Sequence, residues 1–104
     1  MTSNVIKKGV YGLTGVRVHL LISGRVQGVY YRKNARQEAK RLGLTGWVKN
    51  LPDRRVEVVA EGKEEKVEKF IDWCKKGPSL AIVRNVTIER QPPTGGFQDF
   101  NIRY

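Results

Sequence analysis

A glycine-punctuated loop, Gly24–Val29, is the part of the sequence whose residue types point most directly to chemistry. It runs into a predicted helix, and the N-terminus of a helix, with its free N–H groups and positive dipole end, binds anions, phosphate especially. Arg32 lies about one turn into that helix, so its guanidinium could fold back over the loop and complete a phosphate cradle. Two glycines alone are a weak signal, and a tight turn beside a solvated arginine fits the spacing equally well.

The elements that must position this loop follow from the spacing of apolar residues. Apolar residues alternate from Val16 to Ile22, which predicts a strand, and a helical face runs from Tyr31 to Leu42, with Gly43 placed to end the helix. The later elements are a strand at 45–50, a turn at 51–54, a strand at 56–60, a helix at 63–76, a strand at 81–90 and a short final strand at 100–104. This order predicts an α+β fold, the split β-α-β or ferredoxin-like sandwich, with an antiparallel sheet and two helices on one of its faces.

Length and composition narrow the function classes. The 104 residues allow one domain, which we place at 16–104 behind a flexible, glycine-rich tail at 1–15. Lys and Arg outnumber Asp and Glu by 20 to 10, so the net charge is +10 and favours an anionic partner. A single cysteine, Cys74, and a single histidine, His19, exclude a disulfide framework and a His-rich zinc site, so we expect no metal and no cofactor. No segment resembles a signal peptide or could span a bilayer, so we expect a cytoplasmic protein without a membrane partner.

Two segments resemble the signatures of a known family, the acylphosphatases. Residues 22–32, ISGRVQGVYYR, resemble the first signature, and residues 46–50, GWVKN, followed by Val56 and Gly62, resemble the second. The ending FNIRY also looks like the C-terminus of the family. The resemblance covers residues 16–104, and two separate motifs in the expected order make it specific.

The resemblance implies hydrolysis of acyl phosphates, with inorganic phosphate as product or inhibitor. The arginine and asparagine of the family are matched by Arg32 and Asn50. Arg32 and the backbone amides of the loop would hold the phosphoryl oxygens, the amides being those of Val26, Gln27, Gly28, Val29 and Tyr30. Asn50 would orient the attacking water, and a substrate oxygen would take its proton, since an amide is not a strong base. Carboxylate is a good leaving group, so positioning and charge stabilisation would carry most of the work without a metal. A monomer is expected.

Three positions have a second interpretation or depart from the family pattern. Asn50 precedes Leu-Pro-Asp, and taken alone it fits a turn residue that caps a hairpin. Tyr31 stands where the family usually has Phe or Met, so its hydroxyl needs a partner if it is buried. Arg54 stands where the family has a glycine suited to positive φ. Either arginine adopts that conformation at a cost of about 1 kcal/mol or more, or the turn differs. Because Arg54 lies beyond the catalytic positions, we expect it to alter stability more than mechanism.

Other residues that attract attention have structural interpretations. Gln27 is predicted to stabilise the loop rather than to catalyse. Cys74 lies on an apolar helical stripe and is predicted to be core, whereas His19 alternates outward on a strand and is predicted to be at the surface. Trp47 and Trp73 are predicted to be packing residues.

Two other functions compete with hydrolysis. A nucleic-acid-binding module of the same architecture would fit the positive charge, but such modules stack bases on aromatic residues of their central strands. Neither 16–22 nor 56–60 contains an aromatic residue, which makes nucleic acid an unlikely partner. A binding or regulatory domain that kept the phosphate cradle and lost turnover is the third possibility, and intact Arg32 and Asn50 argue against it.

Overall fold

The computed structural model describes residues 15–104, which form five strands and two helices. The predicted tail at 1–15 therefore lies outside the described residues, apart from Gly15. The elements, in chain order, are β1 (Val16–Arg25), α1 (Tyr31–Arg41), β2 (Thr45–Asn50), β3 (Val56–Gly62), α2 (Glu64–Lys76), β4 (Ile82–Gln91) and β5 (Phe100–Arg103). The predicted α+β class and the order of the elements are confirmed.

The strands form one sheet in the order β4-β1-β3-β2-β5. The first four pair antiparallel, as predicted, but β5 runs parallel to β2, with Gly46 opposite Phe100. The predicted fully antiparallel sheet is therefore wrong at one edge. The reason lies in the connection: the chain leaves β4 at one edge, and residues 92–99 carry it along the same end of the sheet to the opposite edge. It must then run back in the direction of β2.

Both helices bury one stripe of side chains against the same face of the sheet. In α1 the stripe is Tyr31, Ala35 and Ala39, and in α2 it is Val67, Phe70, Ile71 and Cys74. α1 is followed by Gly43 in a left-handed conformation, φ 74°, which confirms the predicted helix end. Cys74 is fully buried, as predicted, and burial raises the pKa of its thiol to about 12. A thiol of this kind packs as a small apolar group and is chemically inert.

The other face of the sheet carries polar pairs and the connection to β5. Glu61 is almost fully buried and accepts hydrogen bonds from the Thr94 amide (3.0 Å) and hydroxyl (2.7 Å), from the Gly95 amide (2.9 Å) and from Arg17 Nη1 (3.2 Å). Burial by itself raises the pKa of Glu61, but the donors of Thr94, Gly95 and Arg17 together lower it below its ordinary value. Glu61 thus fixes the connection against β3.

The remaining structural predictions concern His19, Trp47 and Trp73, which lie on the two faces of the sheet. His19 lies on the polar face as predicted, partly buried, with Nε2 2.7 Å from Glu57 Oε2. Trp73 packs against the core and stacks on Phe70, as predicted. Trp47 packs on the polar face, where the Arg103 guanidinium carbon lies 4.7 Å from its ring centre.

Candidate active site

One end of the sheet gathers the candidate residues because five chain segments begin or end there. Arg25, the last residue of β1, pairs with Ile82, the first residue of β4, and Asn50, the last residue of β2, pairs with Val56, the first of β3. The loop at 26–30 leaves β1 between these two pairs. Along this end the segment before β4 therefore lies on one side of the loop and Asn50 on the other.

The loop contains two residues in the left-handed region. Gly28 has φ 75° and Tyr30 has φ 64°. A Cβ atom on Gly28 would meet nothing within 4 Å, so glycine is needed there for its dihedral angle and not for space. Tyr30 carries a strain of about 1–2 kcal/mol, since an L-residue with a side chain disfavours this region. Such strain is typical of functional loops, which the surrounding structure must hold in place.

Gln27 is what holds the loop. Its side-chain Nε2 donates hydrogen bonds of 2.9 Å to the carbonyl oxygens of Leu51 and Arg55, the two residues that flank the β2–β3 turn. The predicted loop-stabilising role of its side chain is therefore visible in the structure. Because the same turn follows Asn50, these bonds also fix the distance between the loop and the end of β2.

The loop runs into α1 without a side-chain cap. Tyr30 is the N-cap residue, and its side chain accepts no hydrogen bond from the first turn of the helix. Its carbonyl accepts from the amide (3.1 Å) and side chain (2.8 Å) of Asn34. The first-turn amides of α1 are thus left to a bound anion or to solvent, as the helix-end argument requires.

Arg32 and Asn50 line the same cleft. The cleft has a volume of about 380 Å³ and is lined by Val26, Gln27, Gly28, Tyr30, Tyr31, Arg32, Lys33, Asn50, Ile102 and Tyr104. The Arg32 guanidinium carbon lies 5.0 Å from the centre of the Tyr104 ring, and within residues 15–104 no carboxylate pairs with it. The guanidinium is therefore free to bind an anionic ligand.

Asn50 presents an unusual side chain. Its Oδ1 is buried and accepts no hydrogen bond from any part of the chain that the structure describes. The turn after it is closed by other groups, since the Asp53 carboxylate accepts from the Arg55 amide at 3.1 Å. Nothing in the contacts of Asn50 supports the hairpin-cap interpretation. An acceptor buried without a partner costs about 1–3 kcal/mol.

Most of the predicted site residues meet in this cleft, and one does not. Val29 is buried and lines a neighbouring groove, although its amide belongs to the same loop. Lys33, which belongs to the basic helix cluster that the sequence marked as able to steer anions toward the loop, also lines the cleft. Sequence reasoning did not single out Ile102, because its position depends on the parallel pairing of β5.

Arg54 has a positive φ, 77°, so of the two possibilities the structure shows the strained residue and not a different turn. It lines a second depression on the loop together with Gly24, Arg25, Val26, Gln27 and Gly28. It therefore lies closer to the loop than its place in the sequence indicated. No Asp or Glu side chain lines this depression or the main cleft, and the charged side chains that line them are all basic: Arg25, Arg32, Lys33 and Arg54.

Two negative findings apply to residues 15–104. No group of three or more His, Cys, Asp and Glu side chains there is placed to hold a metal ion. None of the described helices has the length and apolar character needed to cross a membrane.

Several known proteins with similar sequence and structure are described as acylphosphatases. The family model described as acylphosphatase matches residues 18–102. Among curated relatives, an acylphosphatase of Methylococcus capsulatus is 52% identical over 86 residues, which cover 83% of this chain and 94% of the relative. One from Marinobacter nauticus is 54% identical over 84 residues, covering 81% and 91%. The crystal structure of an acylphosphatase from Bacillus subtilis superposes with a TM-score of 0.84 at 34% identity, covering 86% of this chain and 100% of that one.

Proposed function

The chain belongs to the acylphosphatase family, and from this we propose how its own residues hydrolyse an acyl phosphate to a carboxylate and inorganic phosphate. One observation carries the proposal. Arg32, which has no carboxylate partner among residues 15–104, and Asn50 line one cleft at an uncapped helix N-terminus. The guanidinium suits an anion, and the carboxamide suits a water molecule.

The phosphoryl group binds at the loop. Its oxygens accept from backbone amides between Val26 and Tyr30, and the Arg32 guanidinium supplies a charged, forked donor. The left-handed backbone of Gly28 and Tyr30 gives the loop the tight turns that an amide cradle of this kind needs, and no Asp or Glu side chain lines the cleft to offset the charge of Arg32. These donors also stabilise the charge that builds on the phosphoryl oxygens in the transition state.

Asn50 positions the water. A water molecule held by the Asn50 carboxamide keeps its own oxygen toward phosphorus. The water oxygen forms the new bond to phosphorus as the bond from phosphorus to the acyl oxygen breaks, and the electron pair leaves with the carboxylate. The proton passes to a phosphoryl oxygen, because the amide cannot take it. This route uses neither a metal nor a covalent enzyme intermediate.

The test is phosphate release from benzoyl phosphate. We expect Arg32→Gln to lower kcat/KM by about 10³ or more, since a charged donor to the transferring phosphoryl group is lost. Asn50→Ala is expected to lower kcat by about 10² while leaving the protein at least as stable as wild type, since a buried orphan acceptor is removed. Matched controls are Arg41→Gln, on the same helix and paired with Glu38, and Asn85→Ala, exposed on β4. Full activity in either site variant, or an inactive wild type, would reject the proposal.

Inorganic phosphate should compete with the substrate at the same amides. We expect competitive inhibition and an increase in melting temperature with phosphate concentration, both absent in Arg32→Gln. Phosphate binding without turnover would instead indicate the regulatory alternative. Nucleic-acid binding is not favoured: the polar face of β1 and β3 carries the carboxylates of Glu57 and Glu61 beside its basic residues. The monomeric state and the cytoplasmic location stay predictions, which sedimentation and cell fractionation would check.

A further inference from the structure

A second groove adjoins the cleft on the side away from Asn50. It has a volume of about 410 Å³ and lies between α1 and the segment at 78–80. Tyr30 and Lys33 line both the groove and the cleft, so the two are continuous along these residues. Apart from the backbone amides of Val29 and Tyr30, the residues of the groove have no part in holding the phosphoryl group or the water as described above.

The walls of the groove are apolar side chains that the fold leaves exposed. The Tyr30 side chain is 68% exposed and that of Leu80 is 59% exposed, and these are two of only four large apolar residues so exposed among residues 15–104. Tyr30 lies at a left-handed backbone position. Leu80 is held by a turn in which the Ala81 amide donates to the Pro78 carbonyl at 2.9 Å. Two exposed apolar side chains in one groove beside a polar cleft indicate a surface that another molecule covers.

The geometry of the reaction indicates which molecule covers the side chains of Tyr30 and Leu80. Water attacks phosphorus in line with the departing oxygen, so the acyl group must leave on the side opposite the water. Asn50 places the water on the β2 side of the loop. The sheet order puts β4, and the segment before it, on the opposite side of the loop from β2. The side of the cleft facing this groove is therefore the side from which the carboxylate departs.

We propose that the acyl group of the substrate lies in this groove, against the side chains of Tyr30 and Leu80, and that the groove selects apolar and aromatic acyl groups. This rests on the proposed function, since it assumes that the phosphoryl group is bound by the loop and the water by Asn50. A small acyl group such as acetyl ends before it reaches Leu80, whereas a benzoyl ring extends along the groove. Selectivity then resides in a turn that does not touch the reacting atoms.

The experiment compares benzoyl phosphate with acetyl phosphate in Leu80→Ser. We expect KM for benzoyl phosphate to rise about tenfold, the lower end of what a lost apolar pocket contact costs, with kcat unchanged because the contact is the same in ground and transition states. KM for acetyl phosphate should stay at the wild-type value. Leu80→Met should retain the wild-type KM for both substrates. Ile82→Ser removes a comparably exposed apolar side chain (54%) outside the groove and should change neither.

Three outcomes would overturn the inference. An unchanged KM for benzoyl phosphate in Leu80→Ser would place the acyl group elsewhere, for example against Ile102 and Tyr104. An equal rise for both substrates would mean that Leu80 acts through the loop. A wild type that hydrolyses neither substrate would reject the proposed function as well, whereas the first two outcomes leave it standing.

Discussion

The hydroxyl of Tyr31 donates a hydrogen bond of 2.7 Å to the carbonyl oxygen of Cys74, joining the first turn of α1 to the end of α2. In a continuous helix that carbonyl would accept from the amide four residues later, but the residue there is Pro78, which has no N–H. Tyr31 supplies the missing donor. Burial raises the pKa of Tyr31 well above its ordinary value, so the hydroxyl keeps its proton. The departure from the family pattern at this position is thus matched by a specific acceptor.

Tyr31→Phe is therefore expected to destabilise the protein without impairing catalysis. The Cys74 carbonyl would remain buried without a donor, and the free energy of unfolding should fall by about 1–3 kcal/mol. Urea denaturation measures this, and kcat/KM on benzoyl phosphate should stay within about twofold of wild type. Tyr104→Phe serves as the control, because its side chain is 93% exposed and should shift stability by less than about 0.5 kcal/mol. Equal stability of the two variants would show that the bond contributes nothing.

Arg54→Gly is expected to raise stability. Arg54 has φ 77°, where a side chain costs about 1 kcal/mol or more and glycine costs none. Some of this gain is offset by the extra freedom that glycine gives the unfolded chain, so the expected increase in the free energy of unfolding is under about 1 kcal/mol, with activity retained. Arg54→Ala separates the effect of backbone strain from the effect of losing the guanidinium, because it removes the guanidinium and keeps the positive φ. A lower melting temperature for Arg54→Gly than for wild type would refute a strained turn.

Gln27→Ala is expected to lower both activity and stability. It removes both hydrogen bonds that tie the loop to Leu51 and Arg55, so the phosphate amides lose their fixed distance from Asn50. We expect kcat/KM to fall by about 10- to 100-fold, in keeping with the cost of small misplacements at a reacting centre. Gln98→Ala, at an exposed position, is the matched control. Stability that falls while kcat/KM does not would mean that the bonds hold the turn but do not align the site.

The loss of folding stability at acid pH is expected to depend on Glu61. Its folded-state pKa lies below the ordinary value of 4.5, so its ionised form stabilises the fold above that pH, and this contribution is lost as pH falls from about 4.5 through the folded pKa. Glu61→Gln should lower stability at pH 7 and flatten the decline of the melting temperature with acid. Thr94→Ala, which removes one donor, should give an intermediate slope. If the melting temperature of Glu61→Gln declined with acid as steeply as that of wild type, other carboxylates would govern the loss of stability.

Much of this architecture could be predicted from the sequence because burial leaves a periodic signature. The alternation from Val16 and the helical spacing of Ala35 and Ala39 each reflect one buried face, and both are confirmed. The direction of β5 could not be predicted, since alternation in Phe100 and Ile102 is the same in a parallel and an antiparallel strand.

The candidate site divides in the same way. The loop and Arg32 could be found because a helix start and its neighbours are close in sequence. The buried, unpartnered oxygen of Asn50 and the groove between Tyr30 and Leu80 could not, because each depends on which segments the sheet order brings together.

The sheet order also leaves its two edges unequal. Within residues 15–104, one edge is the short β5, whereas the other is the ten-residue β4, a long strand beyond which no further described strand pairs. Two features of this edge oppose association with a second chain. β4 exposes Arg84, Glu89 and Arg90, and a bulge at Ser23 and Gly24 breaks its register with β1. Charge and irregular pairing at this edge thus act as protection against amyloid-like stacking, and neutralising these three side chains together would turn a catalytic domain into an aggregation-prone one.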